Sequence, residues 1–503
     1  RTMQLPLRVA QRAGPSLQAQ IFEQLRQLIA DGRLKPDMRL PPSRVLAADL
    51  GVSRNTVVLA YERLVAEGYL EVRQPVGTFV ASAPVFEGFA VAPPAEEAPE
   101  AAGLRRSARL RLRGQAHVVR SPYEHPVRYD FWVGRPDARL FPLRIWRDAI
   151  RRLLPEMHAG HSDYGHPAGL PALRQAVADH VGAARGIKTC ADEVLITHGI
   201  QEALSILARL FVRDGTEVAT ENPCYLGAAR VFASHGARLT PVDVDDEGID
   251  VDRLPRDAAF VYVTPSHQYP IGATLSPQRR SRLNAWAARC GSYIVEDDYD
   301  SDFHYDATPL PAMKAEDERE QVIYLGTFSK SLGAGLRVGY MVLPRHLVAD
   351  ASCAKALLNN CSPWYAQALL AEYLSSGAFA HHLRRVRTIY RARRNRLIEA
   401  LERCFGEARI AGAQAGMHLT WELPRHFPLA AELERRARAY EVGVYGLATG
   451  NALVTGPVAE ARFERTVMLG YAALDEDEID EGVARLAQAC RPSQPLGSSR
   501  AAG

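Results

Sequence analysis

Thr327-Phe328-Ser329-Lys330-Ser331, continuing through Gly333 and Gly335 to Arg337, is the stretch on which the reading of this 503-residue chain turns. It follows an apolar run, Val322 to Leu325, that reads as a buried strand. The Ser/Gly-rich segment is then a loop at a strand end, and the Lys330 amine can turn inward. Further short apolar runs lie at Val194 to Thr197, Val218 to Thr220, Ala259 to Val263 and Tyr293 to Glu296, with amphipathic helical stretches between several of them. Strands separated by helices predict a large, mostly parallel α/β sheet with helices on both faces. After Gly377 a long Arg-rich helix, roughly His382 to Cys404, leads into a smaller α+β segment.

Most lysines are surface charge, so Lys330 gains interest only from its company. Desolvation or a neighbouring cation lowers a lysine pKa and favours the neutral, nucleophilic amine. Glu296-Asp297-Asp298-Tyr299-Asp300 places carboxylates at the C-terminal end of a strand, where α/β sheets bind ligands. By composition alone such a cluster equally suits a metal site or a solvated turn. Thr197-His198-Gly199-Ile200-Gln201-Glu202 puts a small residue at a strand-to-helix junction, where free N–H groups and the positive helix end bind phosphate.

The first 81 residues have a different rhythm. Ser16 caps a helix carrying Leu17, Ile21, Leu25, Leu28 and Ile29. Pro41-Pro42-Ser43 opens a second helix that Gly51 ends, and Ser53 starts a third with Val57, Val58, Tyr61, Leu64 and Val65 facing a core. Tyr69 to Val72 and Gly77 to Val80 alternate as two short strands around a turn. Helix, turn, helix and wing in that order predict a winged helix-turn-helix. Its reading helix would present Ser53, Arg54, Asn55 and Thr56 to the major groove, with Arg44 suited to phosphate. Eleven Lys/Arg against seven Asp/Glu in residues 1–81 permit phosphate contacts without requiring them.

Residues 82–124 change composition, with Ala, Pro and Glu prevailing before Arg105, Arg106, Arg109, Arg111 and Arg113. They read as a flexible tether whose arginines are either solvated or in nonspecific contact with DNA. The expected layout is 1–81 DNA-binding, 82–124 linker, 125–490 effector domain and 491–503 disordered tail. Apolar residues at 47% and charged residues at 24% are ordinary globular values, and the net charge of +3 directs nothing by itself. No apolar run reaches the roughly 18 residues of a membrane span. Arg1 to Arg12 lack the apolar core of an export signal, so a cytoplasmic protein with no membrane partner is expected. Seven dispersed cysteines without a Cys-x-x-Cys pair fit reduced thiols, with no metal site expected.

Residues 40–80 resemble the GntR family of winged-helix regulators. Leu40-Pro41-Pro42-Ser43-Arg44-x-Leu46-Ala47, Val52-Ser53-Arg54-Asn55-Thr56-Val57, Tyr61-Glu62-x-Leu64 and Glu67-Gly68-Tyr69-Leu70 stand in the family's order. The wing departs from it: Pro75-Val76-Gly77-Thr78-Phe79-Val80 carries proline where the family usually has glycine, which fixes one φ. The resemblance implies a double-stranded DNA operator.

Residues 125–490 resemble the class I, fold type I aminotransferases. The matching motifs are Leu140-Phe141-Pro142, Tyr164-Gly165-His166-Pro167-x-Gly169, Glu221-Asn222-Pro223-x-Tyr225, Thr264-Pro265-Ser266-His267-Gln268-Tyr269-Pro270 and Thr327-Phe328-Ser329-Lys330, all in sequence. The resemblance implies pyridoxal 5′-phosphate (PLP) held as an internal aldimine on Lys330, with Asp297 at the ring nitrogen and Tyr225 stacked on the ring. Tyr299, with His267 or Tyr269, would lie near the phenolic oxygen. Gly199, Ile200, Gln201, Thr327 and Arg337 would hold the phosphate, and Tyr164 would reach the phosphate of a neighbouring subunit, implying a dimer.

Both halves together resemble the MocR/GabR subfamily of GntR regulators. The resemblance implies a head-to-tail homodimer that senses a small amine or amino acid as an external aldimine at Lys330 and changes its DNA binding, without required turnover. A working aminotransferase carrying a DNA-binding module is the alternative. Aminotransferases commonly fix a substrate carboxylate with an arginine just before a Leu-x-Phe/Tyr strand. Here Val467-Met468-Leu469-Gly470-Tyr471 has an apolar residue in that place, and Arg462 and Arg465 are the out-of-register candidates to replace it.

Overall fold

The Ser16 hydroxyl accepts from the Ala19 N–H and so starts α1, Leu17–Ala30, which buries Ile21, Phe22, Leu25, Leu28 and Ile29. The turn from α2, Ser43–Leu50, needs a left-handed residue, and Gly51 supplies it at φ 65°. Ser53 is the N-cap of α3, Arg54–Ala66, rather than its first residue. Val57, Ala60, Tyr61 and Leu64 of α3 close a core with α1, and the Tyr61 hydroxyl donates to the Pro41 carbonyl at 2.9 Å. The wing is an antiparallel pair, β1 Leu70–Arg73 and β2 Gly77–Val80, in register from Leu70↔Val80 to Arg73↔Gly77.

These features come from a computed structural model that describes residues 5–7, 9–10, 15–73, 75–81, 126–156, 163–306 and 310–490. The chain divides into two compact units, Arg1–Arg109 and Leu110–Gly503. The tether expected at 82–124 and the tail expected at 491–503 lie outside the described residues.

The second unit is built on an eight-stranded sheet. Its strands are β3 Val194–Thr197, β4 Glu217–Asn222, β5 Arg238–Asp245, β6 Gly248–Ile249, β7 Phe260–Val263, β8 Tyr293–Asp297, β9 Val322–Thr327 and β10 Gly339–Val342, in spatial order β3-β10-β9-β8-β7-β4-β5-β6. Neighbours from β9 through β5 pair in parallel. β10 runs antiparallel between β9 and β3, and β6 folds back on β5. Strand residues alternate between two cores. Val194, Ile196, Tyr324 and Val342 enter one, while Leu195, Ile323, Leu325 and Met341 enter the other, so both faces of the sheet are covered.

The smaller subdomain follows the long helix, which runs Ala378–Phe405. Its four-stranded antiparallel sheet comprises β11 Arg409–Ala411, β12 His418–Glu422, β13 Tyr445–Gly446 and β14 Thr466–Gly470. Leu397, Leu401, Trp421, Leu469, Val483 and Leu486 share one core between that sheet, the long helix and the helix Glu476–Cys490. Among the described residues no helix is long and apolar enough to cross a membrane.

Candidate functional site

β9 ends at Thr327, whose hydroxyl accepts from the Ser329 N–H at 3.1 Å and donates to the Ser329 hydroxyl at 3.0 Å. That turn directs the next side chain, Lys330, back across the strand ends, where its Nζ donates to the Gly134 carbonyl at 3.0 Å. Gly134 has φ 71°, which favours glycine, and a Cβ there would stand 2.4 Å from Lys330 Nζ, so any other residue would push the amine from this position. Burial lowers the Lys330 pKa against the opposing pull of the Asp300 and Asp297 carboxylates.

The acidic run sorts itself by strand alternation. Glu296 accepts from the Met313 and Lys314 N–H groups, and Asp298 takes Arg185 at 2.7 Å and the Tyr324 hydroxyl at 2.6 Å. Asp297 faces the other way. Its Oδ2 accepts from the Tyr262 hydroxyl at 2.5 Å, while its Oδ1 is buried with no partner. Burial, opposed by the Tyr262 hydrogen bond, pushes the Asp297 carboxyl up to about 7. An orphaned buried acceptor costs about 1–3 kcal/mol, which a cationic N–H donor placed against it would recover. The ring nitrogen of a pyridinium is such a donor.

His267 lies beside this acid cluster. Its Nδ1 is 2.8 Å from Asp300 Oδ2 and 3.1 Å from the Tyr299 hydroxyl, and its Nε2 faces the Gly412 carbonyl at 3.2 Å. Acceptors at both nitrogens suit the imidazolium. Burial alone would lower its pKa, but the Asp300 charge and hydrogen bond outweigh this and raise it. His418, 5.2 Å away ring to ring, has its Nε2 3.0 Å from the Pro270 carbonyl. Burial and the His267 charge pull it down to about 4. His267, Asp300 and His418 bring ligand-type atoms within 4.8 Å of one another. The direct His267–Asp300 contact fits a shared proton between those two groups. Tyr269 and Tyr299 meet edge to face at 5.7 Å, and the Tyr269 hydroxyl donates to the Gly450 carbonyl. Tyr225 meets the other side of Tyr269 at 5.9 Å, with its hydroxyl 3.4 Å from Gln201 Oε1.

A third group forms at the start of the helix Ile200–Phe211. Gly199, at φ 81°, is its N-cap, and no side chain caps it. Arg337, itself in a left-handed conformation, donates to the His198 carbonyl at 2.5 Å, and its guanidinium lies 3.1 Å from where a Gly199 Cβ would be. An uncapped helix start beside a guanidinium is an anion cradle. Behind it the Glu202 carboxylate accepts from the His198 N–H at 2.7 Å, from the fully buried Lys355 at 3.0 Å, and from Asn359. Burial raises the Glu202 pKa, but these partners overcome it and bring the group down to about 2.

The structure thus brings Lys330, Asp297, Tyr299, His267, Tyr269 and Tyr225 into one buried cluster, with Gly199, Ile200, Gln201, Thr327 and Arg337 near the strand ends beside it. Tyr164 does not join them, being 82% exposed in the single chain. Arg462 and Arg465 do not replace the missing arginine. The first donates to the Val244 carbonyl, and the second to the Pro424 and Phe427 carbonyls. Sequence reasoning passes over Gly134, Tyr262 and His418. Gly134 lies in Val133-Gly134-Arg135-Pro136, six residues before the Leu140-Phe141-Pro142 motif, and its glycine is the only available signal.

In the first unit Arg44, Arg54 and Asn55 are exposed at the starts of α2 and α3. Neither arginine forms an ion pair among the described residues. The Ser53 hydroxyl accepts from the Thr56 N–H at 3.1 Å and lies 2.8 Å from the Thr56 hydroxyl, so both side chains are partly committed to the cap. In the wing, Arg73 stacks on Phe79 and pairs with Asp37 and Glu71.

Fold and pocket together define a DNA-reading winged helix carried on the same chain as an aminotransferase fold. Residues 17–80 match the bacterial regulatory proteins of the gntR family, and residues 134–486 match aminotransferase class I and II. The chain is 35% identical over 481 residues to the probable rhizopine catabolism regulatory protein MocR of Rhizobium meliloti, covering 93% of each. It is 34% identical over 491 residues to the HTH-type transcriptional regulator TauR of Rhodobacter capsulatus, covering 95% of this chain and 98% of that one. Among solved structures, the α-aminoadipate aminotransferase LysN of Thermus thermophilus, complexed with N-(5′-phosphopyridoxyl)-L-leucine, superposes with a TM-score of 0.65 at 32% identity. That alignment covers 75% of this chain and 96% of LysN. The chain belongs to the MocR/GabR subfamily of GntR-type transcriptional regulators.

Proposed function

We propose that this regulator binds PLP at Lys330, senses a small amine or amino acid there, and converts its arrival into a change in operator binding. The observation that carries the reading is the orphaned, buried Asp297 oxygen in the pocket that also holds Lys330. Pyridoxal 5′-phosphate, when bound, supplies an aldehyde carbon that takes up a primary amine. Lys330, its pKa lowered by burial, would give up its proton more readily than a surface lysine and so supply the amine for that carbon. Asp297 would accept the ring N–H, Tyr225 would cover a ring face, and Tyr299, oriented by His267, would donate to the phenolic oxygen, with Tyr269 beside it. Gly199, Ile200, Gln201, Thr327 and Arg337 would hold the phosphate.

Tyr164, exposed in the single chain, suits a contact made by a second copy, as a head-to-tail homodimer would require. Arg54 and Asn55 would read base edges, with Arg44, Ser53 and Thr56 on the backbone. A ligand whose adduct favours one arrangement of the assembly shifts DNA affinity by that difference and needs no turnover. The protein would act in the cytoplasm, where its operator is accessible.

The completeness of the Lys330, Asp297 and Tyr299 set also favours residual aminotransferase activity. Formation of a keto acid from an added amino acid, or its absence, decides that point. The first test is the visible absorption spectrum of the purified protein with added PLP, beside Lys330→Ala. A band near that of a PLP–lysine adduct in wild type alone supports the reading, and no band in wild type rejects it.

A further inference from the structure

Resting on the reading just given, we propose that the sensed ligand is a primary amine with a neutral body and no carboxylate adjacent to its nitrogen. Side chains two apart on a strand share a face, so Met468 and Gly470 look the same way. A Cβ at Gly470 would stand 2.1 Å from the Trp132 carbonyl oxygen, which sets that face against the segment leading to Gly134 and the Lys330 amine. Met468 is fully buried there, in one cluster with Tyr269, Leu447 and Phe463, with Tyr225, Tyr299 and Ile271 packed against it.

The Met468 side chain reaches the backbone of Gly450. A Cβ at Gly450 would lie 1.8 Å from the Met468 methyl carbon, and the Gly450 carbonyl is the acceptor for the Tyr269 hydroxyl. The surface that Met468 shares with Tyr299 and Val133, next to Gly134 in the chain, is thioether, aliphatic carbon and phenol. The two guanidiniums that precede Met468 in sequence, Arg462 and Arg465, are tied to main-chain carbonyls. The nearby fixed charges include the Asp297 and Asp300 carboxylates, and Asp300 already pairs with His267. A carboxylate placed against this wall would lose its hydration without gaining a bidentate partner, whereas an aliphatic or hydroxylated body would pack on Met468 and meet the phenols.

The test uses full-length protein with PLP and follows the visible band during titration with matched pairs of neutral body that differ only in the carboxylate: ethylamine and alanine, isobutylamine and valine, tyramine and tyrosine. Each amine is expected to perturb the band at a concentration at least tenfold below that of its amino acid. Amino acids acting at equal or lower concentration would overturn the inference while leaving PLP-based sensing intact. A wild-type band that no amine or amino acid perturbs would overturn both. The absence of any band would instead reject the underlying reading. Met468→Arg supplies a second arm. In a variant that retains the wild-type band, amino-acid response should improve at least tenfold relative to the paired amines. An unchanged preference would show that Met468 does not face the ligand.

Discussion

The Tyr262 hydroxyl donates to Asp297 Oδ2 at 2.5 Å, opposite an Oδ1 that is buried without a partner. The carboxyl is held up to about 7, so without a cationic partner it is more easily protonated folded than unfolded. Between about pH 4 and pH 7 the folded chain binds a proton there that the unfolded chain does not, and stability falls as pH rises through that window. Asp297→Asn removes the titration. It should raise the melting temperature of the PLP-free protein at pH 8 relative to wild type more than at pH 5, by about 1–3 kcal/mol of stability. The same variant should lose PLP affinity at least tenfold by fluorescence titration.

Gly134→Ala places a methyl group where the Lys330 amine sits and asks alanine to adopt φ 71°. About 1–3 kcal/mol of stability should be lost to the backbone strain. The yield of borohydride-trapped PLP on Lys330 should fall well below that of wild type, while circular dichroism stays native-like.

His267 faces Asp300, Tyr299 and His418, and Asp300 also acts on Lys330 beside Asp297. Asp300 favours the charged form of His267, so replacing His267 with glutamine removes that counter-charge and neighbouring groups gain protons more readily. The pH midpoint of the visible PLP band should move upward in His267→Gln. A midpoint equal to that of wild type would reduce the dyad to a packing element.

On α3 the cap and the exposed cation are separable. Ser53→Ala removes the acceptor for the Thr56 N–H and should cost about 1 kcal/mol of stability in the first unit. Arg54→Ala should leave melting unchanged and weaken binding to the native operator by about 1–3 kcal/mol in a gel-shift or anisotropy assay.

Much of the architecture is readable because buried parallel strands are uninterrupted apolar runs. The strand Val194–Thr197 agrees with its expected bounds to the residue, and Val322–Thr327 is two residues longer than expected. Two strands escape such a reading. Arg238–Asp245 carries Pro241 and alternates charge with apolar residues near the sheet's edge, so it does not look like its buried neighbours. Gly339–Val342 emerges from the glycine-rich loop and reverses direction between β9 and β3. The long helix begins four residues before the expected His382 because Gly377, not a polar cap, starts it.

Within the pocket, Lys330, Asp297 and Tyr299 sit in local motifs that chemistry alone makes conspicuous. Tyr262 reaches Asp297 across a neighbouring strand, and His418 arrives from the other subdomain, 151 positions beyond His267 in the chain. Only folding juxtaposes such groups. The fates of Arg462 and Arg465 are equally invisible, since a guanidinium aimed at a carbonyl and one aimed at a ligand look alike in sequence.

The Gly134 carbonyl gives the Lys330 amine a defined resting place inside the pocket. With PLP bound, a lysine displaced by a ligand amine would find a hydrogen-bond acceptor there, within the same cluster. Return then needs only a small swing of one side chain once the ligand departs. A sensor built this way can be cleared and used again without synthesis of new protein, and the persistence of its signal is set by how long the ligand stays.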